Sequence, residues 1–114
     1  MFKGLGGMGD MAKMMKAAKD AQARMAALQE ELTRITVQGE SGAGLVRAEA
    51  NAKGVLTALH IDPSIFKAED REVVEDLILA AIKDVQKRAA ERSQQEMRKI
   101  ATEMGLPPDM DLPL

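Results

Sequence analysis

The side chains best able to do chemistry in this sequence are cationic, and they come in two clusters. Residues 11–27 carry Lys13, Lys16, Lys19 and Arg24 against the single acid Asp20, a local charge of +3. Residues 83–99 carry Lys83, Lys87, Arg88, Arg92, Arg98 and Lys99 against Asp84, Glu91 and Glu96, again +3. Between them, residues 69–76 hold five acids and only Arg71, a local −4. Over the whole chain, 16 basic side chains meet 18 acidic ones for a net charge of −2. Clustered cations of this kind can hold a polyanion through its phosphates, while an acidic remainder would repel the same ligand elsewhere. The clusters also have a plainer reading as solvated helix faces. Arg88 follows Asp84 by four and Arg92 precedes Glu96 by four, the spacing at which helical ion pairs form.

Catalytic chemistry has little to stand on. The one histidine, His60, lies two residues before Asp62 and so on the same side of an extended chain, yet no nucleophile or second metal ligand accompanies it at a recognisable spacing. Gly4, Gly6, Gly7 and Gly9 resemble a phosphate loop only in composition, because no strand precedes them and no Gly-Lys-Ser or Gly-Lys-Thr closes them. The absence of cysteine removes disulfides, thiolate metal sites and thiol redox catalysis, and points to the cytoplasm. No apolar run reaches the roughly 18 residues that span a bilayer, and the first residues lack the apolar block of a signal peptide. The expectation is a non-enzymatic intracellular protein with no catalytic residues, cofactor, metal, membrane or small-molecule substrate.

The elements that must position the cations begin with a long helix. Met11, Met14, Ala18, Ala21, Met25, Leu28, Leu32 and Ile35 recur at gaps of three and four, which are alternating a and d positions, and form one seam roughly 36 Å long. Residues 1–9 read as a flexible glycine-rich leader, with Asp10 as the helix N-cap. After Thr33 the period drops to two. Ile35 and Val37, then Val46, Ala48 and Ala50, then Val55, Thr57, Leu59 and Ile61 each mark one face of a strand. The stretch from Gly39 to Gly44 and Lys53-Gly54 read as the turns of an antiparallel meander. Asp62-Pro63-Ser64 stops the sheet. A second helix follows from Glu69 to Met104, with the ridge Val74, Ile78, Ala81, Val85, Ala89, Met97, Ile100 and Met104; Gly105 and the two prolines after it end that helix. The resulting class is α+β, in two layers, with a single domain over residues 10–104 and a proline-containing tail at 105–114. Two helices of this length exceed what a small domain encloses, and with Phe2 and Phe66 the only aromatics the core is thin. A homodimer follows as the expectation.

Gly39-Glu40-Ser41-Gly42-Ala43-Gly44-Leu45-Val46, then Ile61-Asp62-Pro63-Ser64, then Glu75-Asp76-Leu77 with Ala80-Ala81, then Met104-Gly105-Leu106-Pro107-Pro108 resemble the signature stretches of the bacterial YbaB/EbfC family of nucleoid-associated proteins. The resemblance runs through nearly the whole chain, in order. It implies an α-β-β-β-α protein, a homodimer whose long helices project like tweezers, and binding to double-stranded DNA in the nucleoid. A part in nucleoid organisation, gene expression or DNA repair comes with it.

Antiparallel packing of the two helices would set the basic segments side by side at the end far from the sheet. On that expectation Lys13, Lys16, Lys19, Arg24, Lys87, Arg88, Arg92, Arg98 and Lys99 supply phosphate contacts with little base readout. Leu28, Leu32, Leu77 and Val85 would be buried in the dimer interface, and the glycines at 42 and 44 read as structural. The rival expectation is a protein-interaction scaffold associated with replication or recombination machinery.

Overall fold

The computed structural model describes the backbone of residues 2–105 and the side chains from residue 9 on. Helix α1 (Phe2–Arg34) leads into strands β1 (Thr36–Ser41), β2 (Val46–Asn51) and β3 (Leu56–Ile61). Two single 3-10 turns at Pro63–Ile65 and Ala68–Asp70 then deliver the chain to helix α2 (Arg71–Glu103). The sheet is an antiparallel meander in the order β1-β2-β3. The expected α+β architecture is therefore present; the tail beyond Gly105 lies outside the described residues.

Three local expectations change. First, α1 begins at Phe2, so Asp10 is interior to the helix and caps nothing. Each glycine costs a helix about 1 kcal/mol, but extending an existing helix requires no new nucleus. Second, β1 runs on through Gly39 and Glu40 to Ser41, which confines the turn to Gly42, Ala43, Gly44 and Leu45. Gly42, Ala43 and Gly44 all have positive φ, at 60°, 55° and 91°, which explains why two of the three lack a side chain. Third, Ala50 pairs with Leu56 but Glu49 with Ala58, so Thr57 is an extra residue that shifts the register. The bulge puts Leu56, in place of Val55 and Thr57, on the face shared with Leu59 and Ile61.

One face of the sheet is covered by α2. Val46, Ala48 and Ala50 from β2 pack on Ala81 and Val85, with Val37, Ile61, Ile65, Leu77 and Ile78 around them. The closest approach is at Gly39, where a Cβ would stand 2.4 Å from the backbone nitrogen of Val85. Small residues on both elements bring the helix axis close to the strands. The edge of β1 is closed by side chains: the Glu40 amide donates to Asp84 Oδ2 at 2.9 Å, and Ser41 Oγ donates to the Leu77 carbonyl.

A second core joins α1 to α2. Leu28, Leu32, Ala52 and Met97 are buried together, with Met25, Ile35 and Ile100 against them. The Ala52 amide donates to the carbonyls of Leu32 and Ile35 at 3.0 and 3.1 Å, tying the end of α1 to the hairpin between β2 and β3. Within α2 the buried residues Ala81, Val85, Ala89, Ser93, Met97 and Ala101 step by four. At roughly 100° per residue that line winds around the helix, so one helix faces the sheet first and α1 later. Leu32→Ala should destabilise the protein by about 2 to 5 kcal/mol, read by denaturant unfolding, because Leu32 is 1% exposed among close neighbours.

Leu28, Leu32 and Val85, expected at a dimer interface, are thus buried by their own chain. Leu77 is half-buried against the same sheet core. Around the sheet, the apolar surface that stays exposed is different and includes Val55, Leu56 and Leu59 at β3, Phe66, and Val73 and Leu79 on α2.

Candidate nucleic-acid interface

The two helices run antiparallel but staggered. Arg24 and Glu103 form an ion pair at 3.5 Å, so the end of α2 meets α1 two-thirds of the way along it. Two helices of about 50 Å overlapping over about 16 Å account for the 83 Å length of the molecule. The portion of α1 before Arg24 extends beyond the end of α2. Its stripe is bare: Met11, Met14 and Met15 are 64%, 70% and 61% exposed.

The stagger separates the two basic clusters that antiparallel packing was expected to bring together. Lys13, Lys16 and Lys19 stand exposed on the projecting part of α1, and none has an ion-pair partner among the described residues. Residues 83–99 instead lie along the body, where α2 crosses the sheet and the end of α1. Four of the nine candidate contacts are held by acids. Arg24 pairs with Glu103, Arg88 with Asp84 at 3.1 Å, and Arg92 and Lys99 both with Glu96 at 3.1 and 3.2 Å. Lys87 and Arg98 are exposed, with no ion-pair partner among the described residues. The acidic segment 69–76 opens α2 next to the sheet, far from the arm.

Glu96, whose spacing from Arg92 predicts an ion pair, is buried, which the spacing does not indicate. It is 7% exposed on the α1-facing side of α2. Burial raises its pKa, but the hydrogen bonds and charges of Lys99 and Arg92 outweigh that and hold the carboxyl below its ordinary 4.5. A carboxylate whose pKa is lower in the folded than in the unfolded chain stabilises the fold above the unfolded pKa. That stability is lost as pH falls through the folded value. Asp84 has the same sign, lowered first by the Glu40 amide and further by Arg88, against an opposing effect of burial. The melting temperature should therefore fall as pH drops below about 4.5, and Glu96→Gln should flatten the part of that decline due to Glu96.

His60 sits opposite Arg47 on the uncovered face of the sheet. It lines an open cleft of about 370 Å³ with Gln38, Glu40, Glu49 and Arg88. The cleft mixes both signs of charge and holds no nucleophile. Asp62, expected on the same side, is committed elsewhere. Its carboxyl is held below the usual range first by a hydrogen bond from the Ser64 hydroxyl and then by the Ser64 amide, which donates to it at 2.8 Å. Among the described residues no group of three His, Cys, Asp or Glu side chains is placed to hold a metal ion, and no helix is long and apolar enough to cross a membrane.

Comparison with known proteins agrees with the fold. A nucleoid-associated protein of Rhodopseudomonas palustris (strain TIE-1) is 43% identical over 105 residues, which is 92% of this chain and 99% of the relative. One from Agrobacterium fabrum is 39% identical over 106 residues, covering 93% and 99%. The crystal structure of an uncharacterized protein from Helicobacter pylori matches the fold with a TM-score of 0.57 at 24% identity, over 76% of this chain and 96% of that one. The family model for YbaB/EbfC DNA-binding proteins matches residues 8–104, and with relatives this similar over their full length, the chain belongs to that family.

Proposed function

We propose that the protein is a homodimeric nucleoid-associated protein that binds double-stranded DNA through the projecting part of α1, by phosphate contact and with little base readout. The observation that carries this reading is the unequal fate of the cations. Lys13, Lys16 and Lys19 project from the body without acidic partners among the described residues, whereas Arg24, Arg88, Arg92 and Lys99 are already neutralised in part. A lone helix with exposed lysines offers phosphates flexible point charges and no fixed hydrogen-bond pattern for reading bases. Lys87 and Arg98 add charge on the body. The relatives are named nucleoid-associated proteins, which supports a place on the nucleoid in the cytoplasm.

Dimerisation is supported by the apolar surface one protomer leaves open. Leu56 and Leu59 lie opposite Ala50 and Ala48, on the helix-covered side of the sheet, but α2 runs over β1 and β2 and leaves them 43% and 45% exposed. A partner seated at β3 and α2 would leave both arms free. Solution scattering at micromolar concentration should give the mass of two chains; the mass of one would remove the dimer.

A gel-shift titration on unrelated duplexes at several salt concentrations tests the DNA reading. A dimer engaging roughly four to eight phosphates should give a slope of log affinity against log salt of about −4 to −7, nearly the same for each duplex. A flat salt response would favour the scaffold reading, in which exposed apolar surface docks another protein.

A further inference from the structure

Two grooves border the meeting of α1 and α2, and their linings differ in charge. The one beside the end of α2 is lined by Arg24, Glu31, Glu96, Lys99 and Glu103, and the pairs Arg24–Glu103 and Lys99–Glu96 lie in it. The other, of about 550 Å³, lies where the two helices pass the hairpin between β2 and β3. That volume is in the range of small-molecule sites. Its lining contains no carboxylate and a single cation, Lys53; the other polar side chains are the carboxamides of Gln29, Gln86 and Gln94 and the hydroxyl of Ser93.

Ser93 is the member that packing does not explain. It stands in the line along which α2 is buried and is itself 7% exposed. In that line Ala89 precedes it by four residues and Ala101 follows it by eight, so an alanine would fill the space. A hydroxyl at such a position needs a hydrogen-bond partner. Its Oγ has none among the described residues, yet it is not sealed off, and the groove is the side from which a partner reaches it.

We propose that this groove binds a deoxynucleoside monophosphate, either free or as the unpaired terminal nucleotide of a strand. A nucleobase is flat and apolar on its faces and carries both donors and acceptors on its edge. Leu32 and Ala52 give one face an aliphatic floor, while Ser93 and the carboxamides, each able to donate and to accept, meet the edge. With no aromatic ring in the lining, edge contacts hold the base in place of stacking. The phosphate goes to Lys53, which has no carboxylate beside it in the groove to compete. A base inside a duplex is already paired and stacked, so this site is separate from the duplex contacts assigned to the arm and does not rest on them.

Titrating each of the four deoxynucleoside monophosphates into full-length, isotope-labelled protein tests the site by nuclear magnetic resonance. The Gly54 amide and the side-chain amides of Gln29, Gln86 and Gln94 should shift and saturate by millimolar concentration. Ser93→Ala, which should leave the melting temperature unchanged, is expected to weaken the tightest of the four by about fivefold, and Gln94→Leu by a similar factor. No saturable shift with any of the four would overturn the proposal, as would unchanged affinity in both variants. Inorganic phosphate binding as tightly as the nucleotides would overturn it too, leaving an anion site. A short single-stranded oligonucleotide that gives the same shifts more tightly than the monophosphates would assign the ligand to strand ends; weaker binding than the monophosphates would assign it to the free nucleotide. Loss of duplex binding in the gel-shift titration would remove the function proposed above and leave these results standing.

Discussion

Replacing Lys13, Lys16 and Lys19 together by Gln should remove most of the salt dependence of DNA binding while leaving the melting temperature unchanged. The three side chains are exposed and make no ion pair among the described residues, so their loss disturbs no packing. A dimer loses up to six phosphate contacts, which should flatten the slope by about 5, and binding near 0.1 M salt should weaken at least about tenfold. A single change such as Lys16→Gln should flatten it by about 2, one contact per protomer. Neutralising Arg92 or Lys99 should do less, because Glu96 already holds them, and Arg92→Gln should instead lower stability by loosening a buried carboxylate. Lys53 and Lys67, on the body, are the controls. If these body changes weakened binding more than the arm changes, the sheet would become the DNA surface.

The largest effect on the fold should come from a residue with no side chain. Gly39→Val places a Cβ 2.4 Å from the Val85 nitrogen and 2.7 Å from its Cα, both backbone atoms of α2 that no rotamer change can move. The helix must lift off the sheet, which exposes the layer of Val46, Ala48, Ala81 and Val85. A loss of more than about 4 kcal/mol is expected, enough to unfold much of a domain whose total stability is on the order of 5 to 15 kcal/mol. Gly54→Ala is the informative contrast. Nothing lies within 4 Å of its Cβ, but its φ is +88°, so the cost is backbone strain alone, about 1 to 2 kcal/mol. Circular dichroism melts of the two variants separate steric from conformational causes. A Gly39→Val melt within a few degrees of wild type would show that helix and sheet are not in this contact.

Periodicity was a sufficient guide to the elements. Three- and four-residue spacing from Met11 to Ile35, alternation through Val46, Ala48 and Ala50, and the proline after Asp62 each state a local preference of the backbone and of one apolar face. Such preferences do not depend on distant partners, and the helix, meander and second helix follow in the expected order, with α1 starting earlier, at Phe2, and β1 running on to Ser41. The failures were places where a distant partner overrides composition. Gly39 looked like a turn residue and is a strand residue emptied of its side chain by the approach of Val85. Ser93 and Glu96 interrupt the apolar ridge of α2 in composition, yet both are buried, Glu96 because Arg92 and Lys99 neutralise it there.

The candidate site divides along the same line. Which residues are cationic, and that they cluster, can be read from order alone. Which of them are free to meet a phosphate cannot, since it depends on the offset between α1 and α2. A heptad seam is nearly self-similar under a shift of one repeat, so its spacing permits several registers. The register here follows from tertiary contacts: α2 must reach Gly39 with Val85, the Ala52 amide must reach the end of α1, and Met97 must meet Leu28 and Leu32. Those constraints leave α1 projecting alone with Lys13, Lys16 and Lys19, and leave the second basic cluster on the body beside its own acids.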